Sequence, residues 1–293
     1  MSTPFSIESI EEYLQTLWRE LPPDRKLYYR GQARISGGEY SLKPSIGRRE
    51  NEKTFTSEII KEPSKAEAIE REIMTIFSNH LPAHLSHLPQ NDWEKLAVAQ
   101  HHGMPTRFMD WTTNPLVALY FATREKEKSA DGQPAGSAVY VLTSEPRRYM
   151  EVVLNLEPSV SAVPDSETQS SSLPQDEEDG YDNLETDDRT GESAAGGTER
   201  EFSPFQIAEN IVYEPPHISS RIRAQDSVLL AFHRPFEELR EDDYIEIVIE
   251  HGAHDEIRNR LAQYGVFDKQ LFPDLDGIAK WLKYRIMKGW ENS

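Results

Sequence analysis

The side chains best suited to chemistry crowd into "AQHHGMPTRFMDWTT", Ala99 to Thr113. This stretch sets His101, His102, Arg107, Asp110, Trp111, Thr112 and Thr113 ahead of the apolar run "LVALYFA". An imidazole exchanges a proton near neutral pH, a guanidinium forks onto phosphate or carboxylate oxygens, and a carboxylate steadies developing positive charge. A purely structural reading competes, in which Arg107 and Asp110 pair with each other. No metal is expected: neighbouring histidines on one helix point about 100° apart and seldom bind the same ion.

Two further stretches bear on a site. In "YYRGQ", Tyr28 to Gln32, Arg30 sits on a short strand where it can hold an anion, and Gly31 lets a ligand approach the backbone. In "SRIRAQDSVLLAF" a late strand would carry Arg221, Arg223, Gln225 and Asp226, with Gln225 able to hydrogen-bond a ribose or an amide. No serine lies in a nucleophile-elbow motif and no glycine-rich phosphate loop is present, which argues against hydride transfer and P-loop phosphoryl transfer. The chain has no cysteine, so thiol chemistry and disulfides are excluded.

The elements that must position these residues follow from periodicity. A helix is expected over about 7–19, with Ile7, Ile10, Leu14, Leu17 and Trp18 on one face and Ser9 and Glu12 at capping-box spacing. "LYYRGQ" reads as a strand, and "YSLKPSIGR" as extended chain. A helix from Ser64, with Glu67 again at box spacing, turns Ala66, Ile69, Ile73, Ile76 and Phe77 inward. Another runs from Asn91, boxed by Glu94, to Gly103, putting His101 and His102 in its last turn, where the helix end favours imidazolium. A strand over 106–112 precedes a buried helix capped by Asn114 with Pro115 at its first position. Strands are expected at 137–143, in "RIRAQDSVLLAF" and in "YIEIVIE", and helices at about 255–264 and 275–287.

Of the formal charge of −19, a net −12 falls between Asn155 and Glu201, in a Ser-, Pro- and Gly-rich segment expected to be disordered. No basic stripe appears, so no sequence-specific DNA binding is expected, and no apolar run has the length of a membrane span. The reading is a cytoplasmic protein. Without regular βαβ alternation, the fold class is α+β, a mixed, mainly antiparallel split sheet flanked by helices.

In order, "YYRGQ", "KPSIGR", "LAVAQHHGMPTRFMDWTTNPLVALYFA", "RIRAQDSVLLAF" and "LFPDLDGIAKWL" resemble the blocks of the FRG domain. The resemblance divides the chain into an N-terminal helix at 1–26 and an FRG domain at 27–288, interrupted by the acidic insertion 155–201. The FRG blocks are in turn distantly similar to ADP-ribosyltransferases of the Arg-Ser-Glu class. That similarity implies an ADP-ribosyltransferase-like fold and NAD as substrate. Arg30 would contact the pyrophosphate or nicotinamide ribose, beside Tyr29, Gly31, Gln32 and Arg107. Thr112 and Thr113 would shape the nicotinamide pocket, and Trp111 or Tyr120 would stack on the ring. Where that class carries its glutamate this sequence has Gln225, so Asp110 or Asp226 would supply the charge. The resemblance implies transfer of ADP-ribose to a macromolecule, as suits a bacterial toxin or antiphage effector. Two alternatives stand beside it: a non-catalytic NAD or nucleotide sensor, and an RNA-directed nuclease using His101 or His102 with Arg107 on phosphate.

Overall fold

The structure, a computed structural model, describes residues 5–36, 40–48, 63–125, 136–156, 202–216 and 220–291, with backbone alone at 63–66, 156 and 287–291. The acidic segment from 157 to 201 and the Ser64 and Ala66 side chains lie outside the described residues. The fold is α+β. A seven-stranded mixed sheet runs in the order β1-β7-β4-β2-β3-β6-β5, with strands β1 (Phe5–Ile7), β2 (Tyr28–Gln32), β3 (Phe108–Thr112), β4 (Ser137–Leu142), β5 (Ile211–Tyr213), β6 (Ser227–Ala231) and β7 (Tyr244–Ile249). Only the β1–β7 pair is parallel.

The split lies at the centre of this sheet. β2 pairs with β4 along its whole length but meets β3 at one register position, Tyr29 opposite Thr112. Helices cover one face in two groups. Helices α1 (Ile10–Glu20), α4 (Pro115–Thr123) and α7 (His254–Gln263) enclose a core with Tyr13, Leu119, Val139, Ile247 and Leu261. Helices α2 (Pro63–His80) and α3 (Asp92–His101) cover β3, β6 and β5 around Trp93, Phe108 and Leu229. The remaining described helices are α5 (Tyr149–Leu156), α6 (Ser220–Ala224), α8 (Asp268–Leu271) and α9 (Leu275–Glu291). On the opposite face Tyr28, Met109, Trp111 and Tyr140 pack under Leu42, Phe232 and Leu239.

Local signals set several helix ends as expected. Ser9 Oγ accepts from Glu12 N, and the Glu12 carboxylate reaches back to accept from Glu8 N, one residue before the cap. Asn91 and Glu94 do the same for α3, and Asn114 Oδ1 accepts from Leu116 N and Val117 N at α4. The α4 body is buried except at Leu116 and Phe121, which are partly so. Other expectations need correction. Ile7 belongs to β1, because Ser9 starts the helix only at Ile10. Tyr13 points inward in place of Leu14 and Trp18, which are 43% and 87% exposed. Ile76 likewise faces out, while Met74 and Glu70 face in. "KPSIGR" contains a tight turn at Ser45–Gly47. The "RIRAQ" strand is instead the short helix α6, ended by Asp226 at φ 45°, a left-handed conformation that aspartate tolerates. No described helix is long and apolar enough to cross a membrane.

Candidate functional site

Where β2 and β3 part, and where the two helix groups leave the sheet uncovered between them, a cleft of about 290 Å³ opens. Its walls include Tyr29, Arg30 and Gly31 from β2, Asp110, Trp111 and Thr112 from β3, Gln100 and His101 from α3, Phe121 from α4, and Arg221 and Gln225 from α6 and its C-terminal side. Strand alternation places Tyr29, Gly31, Asp110 and Thr112 on the cleft face and Arg30 and Trp111 on the other.

Arg30 turns its guanidinium into the split, and Nη1 donates to the Asp110 carbonyl oxygen at 2.7 Å. A main-chain acceptor that strand pairing leaves open is thereby satisfied by a side chain. The Arg30 Nε is buried with no hydrogen-bond partner. Burial, and then the nearby Arg48 guanidinium, lower the Arg30 pKa to about 10, so it remains charged at neutral pH. A desolvated cation beside a second cation favours an anionic ligand.

Asp110 is exposed to the cleft, and its orientation is set by a chain of hydrogen bonds. Phe108 N donates to Thr106 Oγ1, Thr106 Oγ1 donates to Gln100 Oε1 at 2.7 Å, and Gln100 Nε2 donates to Asp110 Oδ2 at 2.8 Å. An ionised carboxylate can only accept, so the Gln100 amide nitrogen must face Asp110, which leaves the amide oxygen to take the Thr106 proton. His101, in the last turn of α3, is partly buried. Burial, then Arg221, then His102 lower its pKa, against the opposing pull of Asp110. The imidazolium expected at a helix end is therefore disfavoured, chiefly because the ring is desolvated and faces the Arg221 guanidinium. Arg221 lies with its guanidinium 4.6 Å from the centre of the Phe272 ring.

Several of the residues singled out above serve as structure. Thr112 Oγ1 donates to the Gln225 carbonyl at 2.7 Å and accepts from Asn114 N, while Gln225 Nε2 donates to the Leu271 carbonyl at 3.0 Å. Both line the cleft with their hydrogen-bonding groups partly spent on holding its wall. The Trp111 ring is buried in the core of the opposite face, so it is not placed to stack on a ligand in the cleft.

Others lie away from it. Arg107 is 3% exposed and does not pair with Asp110: its Nε and Nη2 donate to Glu70 Oε2 and its Nη1 to the Pro204 carbonyl. With that guanidinium consumed, a nuclease reading loses its phosphate contact. Tyr120 is core, 2% exposed, and faces the α7 side. Gln32 donates to the Tyr40 carbonyl, Thr113 N donates to the Asp226 carbonyl, and His102 is exposed outside the cleft. Arg223 and Asp226 line a separate groove. Gly31 answers to packing, since a Cβ there would stand 1.8 Å from the Ala118 carbonyl oxygen of α4.

Gln100 and Phe121 join the site without a sequence signal, and Arg221 joins it from a helix where a strand was expected. Among the described residues no cluster of three or more His, Asp or Glu side chains is arranged to hold a metal. No curated protein and no solved structure matches the chain. The family model of the FRG domain matches residues 25–131, a span that holds Arg30, His101 and Asp110 but not Arg221 or Gln225. The match to the FRG domain covers residues 25–131 of the chain, and one wall of the central cleft comes from sequence beyond the matched region.

Proposed function

We propose that the cleft holds the nicotinamide-riboside end of NAD and that the chain transfers ADP-ribose to a macromolecular acceptor. The observation that carries this reading is the meeting of Arg30 and Asp110 at the split between β2 and β3. Arg30 and Arg221 supply positive charge for a diphosphate, and Asp110 supplies the negative charge that an oxocarbenium-like ribose needs. The volume is at the low end for small-molecule sites, about 300–1,000 Å³, so it suits one half of a dinucleotide with the rest running outward past Arg221. Tyr29 and Phe121 give the flat apolar walls for the nicotinamide ring.

The test is incubation of the full chain with NAD labelled in the adenylate, together with cell extract. Label transfer to a macromolecule, with nicotinamide release, is expected; Arg30→Ala and Asp110→Asn should each abolish it. Failure of the wild-type chain to release nicotinamide overturns the reading. Binding without turnover is the second reading, favoured by Gln225: the position implied for a catalytic glutamate holds an amide that donates to Leu271. In that case NAD or ADP-ribose would raise the melting temperature, and Arg30→Ala would abolish the shift.

A further inference from the structure

Resting on the reading that NAD is cleaved in this cleft, we infer that His101 is the base that takes the proton from the attacking oxygen of the acceptor. Asp110 cannot serve both steps. Among the described residues it is the sole carboxylate lining the cleft, its Oδ2 is held by Gln100, and while the glycosidic bond breaks it must stay anionic toward the ribose. An oxygen nucleophile still has a proton to lose, so a second group is needed.

His101 is placed for that work. It lines the same cleft as Arg30 and Asp110, and neither ring nitrogen bonds to another described residue. Its neighbour His102 meets it edge-on, with ring centres 5.3 Å apart, and stays outside. The charged and titratable groups facing His101 are Arg221 from α6, Asp110 from β3 and His102 on its own helix end. Burial, with the Arg221 guanidinium next, outweighs Asp110, which leaves the imidazole neutral and able to accept a proton at neutral pH.

The bond from ribose C1′ to the nicotinamide nitrogen breaks, and its electron pair neutralises the pyridinium, releasing nicotinamide. A lone pair of the acceptor hydroxyl forms the new bond to C1′, and the hydroxyl proton passes to a ring nitrogen of His101. The resulting imidazolium returns the proton to solvent.

Because His101 acts on capture and not on cleavage, the two can be separated. Free labelled nicotinamide should exchange into NAD whenever the bond breaks and re-forms, whether or not an acceptor is captured. His101→Gln in the full chain is expected to keep this exchange while transfer to water or protein falls about 100-fold. Azide, which attacks without giving up a proton, should restore capture and yield ADP-ribosyl azide. The wild-type chain offers the same separation at acid pH, where protonation of His101 should lower transfer but leave exchange. Undiminished transfer in His101→Gln, or joint loss of transfer and exchange without azide rescue, overturns the role of His101 alone. A wild-type chain that neither exchanges nor releases nicotinamide overturns the NAD reading itself.

Discussion

The Arg30 guanidinium bridges β2 and β3 at the point where the two strands part, with Nη1 2.7 Å from the Asp110 carbonyl oxygen. One side chain thus holds the split open at a fixed width and presents positive charge to the cleft. Lysine has a single donor head and cannot form a planar fork that serves strand and ligand together. Arg30→Lys is expected to weaken ADP-ribose binding at least about tenfold, the order of one lost charge-assisted hydrogen bond. Calorimetric titration of the full chain checks this.

The Thr106–Gln100–Asp110 chain of hydrogen bonds makes Gln100 a positioning residue. Gln100→Leu frees the carboxylate and removes two hydrogen bonds, one from Thr106 and one to Asp110, at a cost of about 1–3 kcal/mol of stability. Nicotinamide release should nonetheless fall while the KM for NAD stays near the wild-type value. A drop in stability large enough to explain the lost activity would refute the role.

Glu70 and Arg107 form a buried ion pair, at 2% and 3% side-chain exposure. Glu70→Gln leaves the guanidinium buried and unneutralised, and about 3–5 kcal/mol of destabilisation is expected. Replacing both by leucine should recover much of the loss, since burying charge was itself costly. Urea unfolding of the single and double variants measures the difference.

Gly31→Ala drives a methyl group into the Ala118 carbonyl, at 1.8 Å without movement. The neighbour is helix backbone and cannot swing aside. Destabilisation of about 1–3 kcal/mol or more is expected, with helix α4 displaced from the sheet. The readout is thermal unfolding compared with wild type.

The lowered pKa of His101 sets the sign of a pH effect. A base must be deprotonated to act, so transfer should rise with pH through a midpoint below the ordinary 6.5 and be flat above neutrality. Arg221→Gln removes a cation that disfavours imidazolium and should move that midpoint upward. Rate profiles between acid and neutral pH decide this, with a downward or absent shift counting against it.

The signals legible in the chain's own letters are local. Ser9 with Glu12, Asn91 with Glu94, and Asn114 with Pro115 mark helix starts because each cap bonds within a few residues of itself. The alternation in "YIEIVIE" and the unbroken apolar surface of "LVALYFA" likewise announce a strand and a buried helix. Three of the FRG motifs, "YYRGQ", "KPSIGR" and the long block ending in "LYFA", lie in the span that the family model matches, which holds both Arg30 and Asp110. Three-residue edge strands such as β1 and β5 are too short to carry a period.

Which polar residues meet depends on long-range packing. Arg107 finds Glu70, 37 residues earlier, and so leaves the chemistry it was expected to join. "RIRAQ" alternates like a strand, yet Gln225 is drawn to Leu271 and Thr112, and the backbone curls into a helix that walls the cleft. The single contact between β2 and β3, and the turn of Arg30 into the gap, depend on how segments far apart in the chain pack on one sheet. Periodicity reports which side of an element is buried. It carries no record of the partner across the gap, and the cleft is made of such partners.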